Sequence, residues 1–324
     1  MEKDKYPLVS IIIPCYNNSK YISAAIDSAL NQTYPNKEVI VIDDGSTDGS
    51  LDVIKTFSSR IKWRTGFNKG ACSARNKGLQ IAQGTLIKFL DGDDVLETSS
   101  IEAQVRIFNH IKDPDVIVFG KHITVNESSE FISNSTNLSH YNEHDDQMPL
   151  LFEKSPILAS ALYSYNQLQK INGFDNEVLK YQDTDLNIRL RMTGFKFFFH
   201  DDLVFYHRKH DSQSRISRRQ GSQYIINNSQ VLKKWRNYAL TYYIDESNAS
   251  FLEIENKLIY FQLLLARKLF RNHDRKEAIE LFRRSFPLNR GLFSKNIPFL
   301  YSIMVYILGF TITEKVVSLI RKEL

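Results

Sequence analysis

Two acidic clusters in the sequence could bind a metal ion. The first reads DDGSTDGS from Asp43, directly after the apolar run Glu38–Ile42, and the second reads DGDD from Asp91, after the apolar run Leu86–Leu90. Carboxylates at Asp-x-Asp spacing on a loop can surround one divalent cation, and Mg2+ and Mn2+ prefer such hard oxygen ligands. A cation held there would stabilise the negative charge that develops on a departing phosphate group. The alternative interpretation is an ordinary turn, because Asp, Gly and Ser are also turn and helix-capping residues.

The segments around both clusters alternate between strand and helix patterns. Continuous β-branched and apolar runs predict buried parallel strands, and apolar residues at three- and four-residue spacing predict the helices between them. Strands are predicted over Val9–Ile13, Glu38–Ile42, Ile61–Thr65, Leu86–Leu90 and Val116–Val125, and helices over Tyr21–Leu30, Ser50–Phe57, Ala71–Ala82 and Ser100–His110. This order predicts right-handed crossovers and a mostly parallel sheet, in which ligands bind beyond the carboxyl ends of the strands. Both acidic clusters lie at such ends.

The chain changes character after this alternating part. Residues 126–147 are polar and predict either a long loop or a family-variable insertion. The aromatic runs Phe195–Phe199 and Leu203–Tyr206 predict core strands, with a sugar-stacking platform as the alternative. Later segments have helical patterns, over Gln223–Tyr242, Phe251–Phe270 and Arg275–Ser285.

Composition indicates a folded globular chain. Of 324 residues, 42% are hydrophobic and 24% are charged, with a formal net charge of +5, which is the balance of a folded protein. The mild positive charge suits an anionic partner such as a nucleotide diphosphate or an acidic membrane surface, and a solvated basic face accounts for it equally well. No dense basic block interleaved with aromatic residues is present, so we expect no nucleic-acid partner.

The two cysteines, Cys15 and Cys72, form no disulfide framework and fit a reducing compartment. No signal peptide is visible at the start of the sequence. We therefore expect a cytoplasmic protein.

Six stretches together resemble one known family. They are VSIIIPCYNN (Val9–Asn18), VIDDGSTDGS (Val41–Ser50), NKGACSARNKGL (Asn68–Leu79), LDGDD (Leu90–Asp94), GFD with QDTDLNIRLRMTG (Gly173–Gly194) and HRKHDSQS (His207–Ser214). Their order and spacing resemble the family 2 glycosyltransferases with the GT-A fold, of the bacterial polysaccharide or lipopolysaccharide type. The resemblance covers roughly the first two-thirds of the chain.

This resemblance implies an α/β fold, a Rossmann-like, mostly parallel twisted sheet flanked by helices, with a helical C-terminal extension. It implies a catalytic domain over residues 1–218, with nucleotide-sugar binding in about 1–125 and the acceptor side in about 150–218. Residues 219–324 would form the helical region.

The resemblance also assigns a donor site. Pro14 and Tyr16 would border the donor base, and Asp43 would hydrogen-bond that base, which is typically uracil. Asp44 would belong to the same donor site. Arg75 would reach the base or the diphosphate of the nucleotide.

The metal-binding residues follow from the same comparison. Asp91 would hold the ribose or the donor sugar, and Asp93 would bind Mn2+ or Mg2+. His210, at the start of an H-x-x-S-x-S stretch, resembles a residue that contacts the metal or the diphosphate. The alternative for His210 is a surface histidine beside Arg208 and Lys209.

Asp183 matches the general base of the inverting members of the family. A carboxylate there would accept the proton of the acceptor hydroxyl as that oxygen attacks the anomeric carbon, which inverts the centre. Family members usually carry Glu-Asp at this point, whereas this sequence has Gln182-Asp183. The base is kept while its neighbour loses a charge, and we expect a different acceptor if that Glu contacts the acceptor in the family. Asp183 and Asp185 would also favour a helix N-terminus through the helix dipole.

The predicted function is therefore an inverting hexosyl- or N-acetylhexosaminyltransferase. It would use a nucleotide-sugar, with UDP preferred, and a glycan or glycolipid acceptor in cell-surface polysaccharide biosynthesis. One alternative is an inactive sugar-nucleotide-binding scaffold. Another is a sugar nucleotidyltransferase, but the loop after the first strand, Pro14–Asn18, has no glycine. A dinucleotide-dependent oxidoreductase is disfavoured because no G-x-G-x-x-G follows a strand.

The C-terminal region carries an apolar stretch, Ile297–Ile312, among basic residues. It is shorter than the ~20 residues of a membrane-spanning helix. One interpretation is an interfacial anchor that would hold the enzyme peripherally at the inner face of the cell membrane. The other is a helix that buries its apolar surface against its own domain or a second subunit.

Overall fold

A computed structural model of the chain describes residues 6–135, 138–142, 145–210, 221–245, 247–272 and 274–284. The chain divides into two compact units, Met1–Arg218 and Arg219–Leu324. The predicted boundary after residue 218 and the apolar stretch Ile297–Ile312 lie outside the described residues.

The first unit contains nine described strands. They are β1 (Val9–Cys15), β2 (Lys37–Asp43), β3 (Lys62–Thr65), β4 (Leu86–Phe89), β5 (Val95–Leu96), β6 (Val116–Val125), β7 (Phe131–Asn134), β8 (Ala161–Ser164) and β9 (Lys196–Arg208). One sheet joins them in the order β3-β2-β1-β4-β8-β6-β9-β5, and β7 pairs with β6 outside that path.

The half of the sheet that carries the acidic clusters is parallel. β1 pairs in parallel with both β2 and β4, and β2 pairs in parallel with β3. The register sets Cys15 opposite Asp43 and Asp43 opposite Thr65, so three strands end level with one another. The other half is mixed, since β8 runs antiparallel to β4 and β6 whereas β9 runs parallel to β6. The predicted mostly parallel sheet is confirmed.

Helices flank this sheet as the alternating pattern predicts. They are α1 (Ile22–Leu30), α2 (Ser50–Thr56), α3 (Ala71–Ile81), α4 (Ser100–Ile111), α5 (Met148–Lys154), α6 (Tyr165–Lys170) and α7 (Gln182–Met192), with short 3-10 turns at Ser139–Asn142 and Leu158–Ser160. Every residue of β1 is buried, and Ile22, Ile26 and Ala29 of α1 are buried in the same core cluster. The apolar faces therefore meet where the sequence predicts.

The long-loop interpretation of residues 126–147 is wrong, whereas the insertion interpretation stays a prediction. This segment holds β7 and the 3-10 turn Ser139–Asn142. All four residues of β7 are exposed, so no apolar alternation marks the strand in the sequence. The two aromatic runs after residue 195 form one continuous strand, β9. Phe197, Phe199 and Phe205 of that strand are buried, which supports the core-strand interpretation.

The second unit is helical over its described residues. It contains α8 (Ser222–Tyr243), α9 (Ala249–Arg271) and α10 (Arg275–Arg284). The guanidinium of Arg236 in α8 lies 2.6 Å from the carboxylate of Glu255 in α9. No helix within the described residues is long and apolar enough to cross a membrane.

Candidate active site

The carboxyl ends of β2 and β3 place Asp43 beside Thr65. Asp43 is buried, and its carboxylate accepts hydrogen bonds from the Thr65 hydroxyl at 2.6 Å and from the Ser46 amide at 3.2 Å. These contacts fix the carboxylate at the strand end where ligands of such sheets bind. Thr65 is not among the predicted site residues. Its position at the end of a strand parallel to β2 is the signal that places it there.

Asp44 contacts the backbone that leads into α3. Its carboxylate accepts hydrogen bonds from the amides of Lys69, at 3.0 Å, and Gly70, at 2.7 Å, immediately before α3. Gly45 has φ +80°, and a Cβ there would lie 2.8 Å from the carbonyl oxygen of Gly66. Only glycine fits this close approach without strain. The described contacts of Asp44 thus tie β2 to α3, and its predicted role in donor binding stays a prediction.

The loop after β1 is interlocked with the first acidic cluster. The Asn17 amide donates to the Ser46 hydroxyl, the Asn18 amide to the Ser50 hydroxyl, and the Ser19 amide to Asp48. Two further predicted residues are held with this loop: Pro14 is buried at the end of β1, and Tyr16, directly after it, is half-buried.

Cys15, at the end of β1, is a buried thiol. Burial raises the pKa of the Cys15 thiol to about 12, so the thiol stays protonated and inert near neutral pH.

The second acidic cluster meets a histidine from the far end of the first unit. Ligand atoms of Asp91, Asp93 and Asp94 lie within 4.8 Å of one another. Asp93 Oδ2 lies 2.9 Å from His210 Nε2, and the side chain of His210 is 1% exposed. The His210 ring packs on Tyr21, with ring centroids 4.6 Å apart. These contacts contradict the surface-histidine alternative for His210.

Arg208 contacts two residues of this cluster, although it is not among the predicted site residues. Its backbone amide donates to Asp94 Oδ1 at 2.8 Å, and its Nε donates to the Asp93 carbonyl at 3.2 Å. The same guanidinium donates to the Glu127 carbonyl and the Ser129 hydroxyl. Arg208 therefore joins the second acidic cluster to the turn between β6 and β7. Its place in the HRKH stretch is the only signal in the sequence.

Arg75 connects the second cluster to the predicted base. Its side chain is 6% exposed and donates to Asp91 Oδ1 and to Gln182 Oε1, both at 2.6 Å. Burial alone would lower the pKa of Arg75, but the neighbouring Asp91 carboxylate holds it above its ordinary value. Arg75 is therefore a fixed positive charge between Asp91 and the residue that precedes Asp183.

Asp183 lies in the first turn of α7. Its Oδ1 accepts a hydrogen bond from the Thr184 amide at 2.9 Å. Burial raises the pKa of Asp183, while the Thr184 amide and the charge of Arg75 oppose that shift. A carboxylate with a raised pKa is better matched to accepting a proton near neutral pH than an ordinary one.

The donor set of the second cluster fits a divalent cation. Three carboxylates converge there and one imidazole contacts Asp93, and carboxylate oxygens are ligands that suit Mg2+ and Mn2+. The residues present can therefore hold a divalent metal ion.

Comparisons with known proteins agree with this arrangement. The profile of glycosyl transferase family 2 matches residues 10–170. An uncharacterized glycosyltransferase of Rickettsia typhi is 34% identical over 66% of this chain and 68% of its own length. The hyaluronan synthase of Pasteurella multocida is 28% identical over 86% of this chain, but the match spans only 29% of that longer protein.

The fold has a solved counterpart in S. aureus TarS. The crystal structure of TarS residues 1–349 in complex with UDP has a TM-score of 0.61 at 18% identity, covering 86% of this chain and 81% of that one. The same fragment in complex with UDP-GlcNAc has a TM-score of 0.56 at 16% identity and covers 86% and 90% of the two chains. The likeness confirms the GT-A-like fold. The family profile and the Rickettsia relative show that this chain belongs to glycosyltransferase family 2.

Proposed function

We propose that this glycosyltransferase moves a sugar from a UDP-sugar to a hydroxyl of a growing glycan or glycolipid, with inversion at the anomeric carbon. The observation that carries the proposal is the chain of contacts from Asp91 through Arg75 and Gln182 to Asp183. The hydrogen bonds from Arg75 to Asp91 and from Arg75 to Gln182 are both 2.6 Å long. Because Gln182 directly precedes Asp183, a carboxylate suited to proton transfer is tied to the donor end of the sheet.

The donor side supports a uracil nucleotide. Asp43 keeps a fixed carboxylate at the end of β2, and Tyr16 and Pro14 border the same strand end. A carboxylate can accept the N–H of a uracil ring, and an aromatic ring can stack on its face. The UDP and UDP-GlcNAc complexes of TarS, which shares this fold, support the same class of donor.

Asp93 and His210 would hold the cation, either Mn2+ or Mg2+, and Asp91 would hold the ribose or the donor sugar. When bound, the metal supplies Lewis-acid stabilisation of the negative charge on the diphosphate. Arg75, a buried permanent cation beside Asp91, adds positive charge on the same side of the site.

Asp183 would act as the general base. Its carboxylate takes the proton of the acceptor hydroxyl as that oxygen forms a bond to the anomeric carbon. The bond from that carbon to the diphosphate oxygen breaks, and the bonding pair leaves with the nucleoside diphosphate. One displacement of this kind inverts the anomeric centre and needs no covalent intermediate.

The acceptor class is inferred from relatives. The hyaluronan synthase and a chondroitin synthase of Pasteurella multocida, each 28% identical over 86% of this chain, are named for polysaccharides. We therefore propose a role in the assembly of cell-surface polysaccharide.

We further propose that this chain works at the cytoplasmic side of the membrane, with peripheral contact through residues 288–324. Flotation with liposomes of the full chain, compared with a chain ending at Pro287, tests that contact. Equal behaviour of the two would contradict it.

Turnover of a panel of UDP-sugars tests the reaction. UDP-glucose, UDP-galactose, UDP-GlcNAc, UDP-GalNAc and UDP-glucuronate are incubated with Mn2+ and oligosaccharide acceptors, and release of UDP is followed. We expect release from one or two donors and, by proton NMR, a product of inverted anomeric configuration. Retained configuration would contradict the role of Asp183, and absence of turnover with every donor would favour a binding scaffold.

A further inference from the structure

Helix α3 clamps the segment that carries the predicted base. Asn76 donates from Nδ2 to the Phe174 carbonyl and accepts from the Phe174 amide, both at 2.8 Å. One turn earlier, the Cys72 thiol donates to the Val178 carbonyl at 3.5 Å. Arg75 makes the third contact, to Gln182. The residue before α3, Gly70, donates its amide to Asp44. Helix α3 therefore connects the end of β2 to the segment that precedes Asp183.

Gln182 is the last link of this clamp, and it uses both ends of its amide. Its Oε1 accepts from Arg75 at 2.6 Å, while its Nε2 donates to the Val178 carbonyl at 3.1 Å and to the Leu179 carbonyl at 3.4 Å. The oxygen therefore faces a guanidinium and the nitrogen faces two carbonyls. Only a side chain with an acceptor and a donor can satisfy both.

The residue before Gln182 has an unfavourable backbone conformation that neighbouring contacts must stabilise. Tyr181 has φ +61°, a left-handed conformation that costs a non-glycine residue on the order of 1 kcal/mol and persists only where its surroundings enforce it. The Tyr181 carbonyl accepts the Asp185 amide at 2.9 Å and so starts the hydrogen bonding of α7. Contacts on both sides of Tyr181 therefore hold the first turn of α7, from which the Asp183 side chain projects.

We propose that Gln182 is a positioning residue for transfer, and that an amide rather than a carboxylate is required there. The inference rests on the proposed function, in which Asp183 is the base. Gln182 holds the first turn of α7 against Val178 and Leu179 and at the same time locks Arg75 onto Asp91. A glutamate at position 182 keeps the contact with Arg75 but cannot donate to the two carbonyls. It would also place a second carboxylate, besides that of Asp91, against the Arg75 guanidinium.

Two substitutions separate the two ends of the amide. Gln182→Glu keeps the Arg75 contact and loses the carbonyl contacts, whereas Gln182→Leu loses both. Gln169→Glu, at an exposed position of α6, makes the same chemical change away from the clamp. We expect kcat to fall about tenfold to a hundredfold in both Gln182 variants, because small misplacements of a reacting group have effects of this size. Donor KM should stay within about twofold, as expected when ground-state binding is kept.

The kinetic results distinguish the inference from the function it rests on. Wild-type kcat in Gln182→Glu would overturn the requirement for an amide, and a rise in donor KM that matches the fall in kcat would overturn the positioning role. Wild-type protein that turns over no UDP-sugar would contradict the proposed function instead.

Amide hydrogen exchange tests the positioning role without any activity. Exchange in a peptide that covers residues 175–185 should be faster in both Gln182 variants than in the wild type and in Gln169→Glu, since loss of the carbonyl contacts opens this segment locally. Exchange in the peptide that covers β1 should be unchanged. Equal exchange of residues 175–185 in all four proteins would overturn the inference.

Discussion

Asp93 and His210 lie 117 positions apart in the sequence, and their side chains meet at 2.9 Å between Oδ2 and Nε2. The contact joins the loop after β4 to the chain just beyond β9. Pairing of β5 with β9 brings these two segments together, with Val95 opposite Tyr206. Sheet topology, rather than local sequence, therefore assembles this part of the site.

We predict that His210→Gln weakens the response to Mn2+. Glutamine cannot supply an imidazole nitrogen, and loss of a ligand or of its immediate partner costs roughly 10–100-fold in metal affinity or activity. Titration of UDP release with Mn2+ should therefore show half-maximal activity at a concentration at least about tenfold higher. His110→Gln, at an exposed position of α4, is the matched control. Identical Mn2+ titrations for the wild type and His210→Gln would remove His210 from the metal site.

Asp183→Asn should abolish transfer and leave nucleotide binding in place. The amide keeps the size of the side chain but cannot take the acceptor proton, so kcat should fall by about a hundredfold or more. UDP should still raise the melting temperature as in the wild type. Asp52→Asn, at an exposed position of α2, serves as the control. Near wild-type turnover of Asp183→Asn would show that another group is the base.

The raised pKa of Asp183 predicts an acid limb in the rate profile. The base works in its ionised form, so kcat falls as pH drops through a pKa that lies above the ordinary value of 3.8. A plot of kcat against pH for the wild type checks this. A rate that stays constant down to pH values near that of an ordinary carboxyl would contradict the assignment.

The raised pKa of Asp183 also predicts how stability depends on pH, and for stability the ionised form is the unfavourable one. Asp183 binds its proton more tightly in the folded state, so its contribution to stability declines as pH rises from the ordinary carboxyl pKa through the raised one. At neutral pH the ionised side chain is a cost to the fold. Asp183→Asn should therefore be at least as stable as the wild type in urea unfolding at pH 7, and a clear loss of stability would contradict this.

Gly78→Ala should destabilise the fold. Gly78 lies on α3 where the helix packs against β1, and an added Cβ would overlap the Ile12 side chain. Overpacking of this kind typically costs about 1–3 kcal/mol. Urea unfolding followed by circular dichroism measures the loss. Gly221→Ala, where an added Cβ meets nothing within 4 Å, is the control, and equal midpoints for the two variants would contradict the packing argument.

The sequence predicts the parallel half of the fold well, for a physical reason. β1 is buried on both faces and therefore consists of a continuous apolar run, which is easy to identify. β7 is exposed along its whole length and carries no such signal. Its formation depends on pairing with β6, which is a tertiary effect that a local pattern does not contain.

The site residues likewise differ in whether the sequence alone predicts them. Asp43 and Asp91 could be placed because each ends a recognisable strand. Arg208 could not, because its role depends on where β9 ends relative to the loop after β4. The two ends of the Gln182 amide are likewise visible only in the folded chain, since the sequence alone shows a lost charge at that position.

The response of the protein to nucleotides tests most directly whether the carboxyl end of this sheet is a nucleotide-sugar site. Melting temperatures are measured with UDP, GDP and CDP, each with and without Mn2+. A ligand that binds only the folded state adds about 2.7 kcal/mol of stability at a hundred times its Kd, a shift of several degrees for a unit of this size. We predict a shift that is largest for UDP and depends on Mn2+. No shift with any nucleotide, in the presence or absence of Mn2+, would contradict the donor site at Asp43 and Asp93.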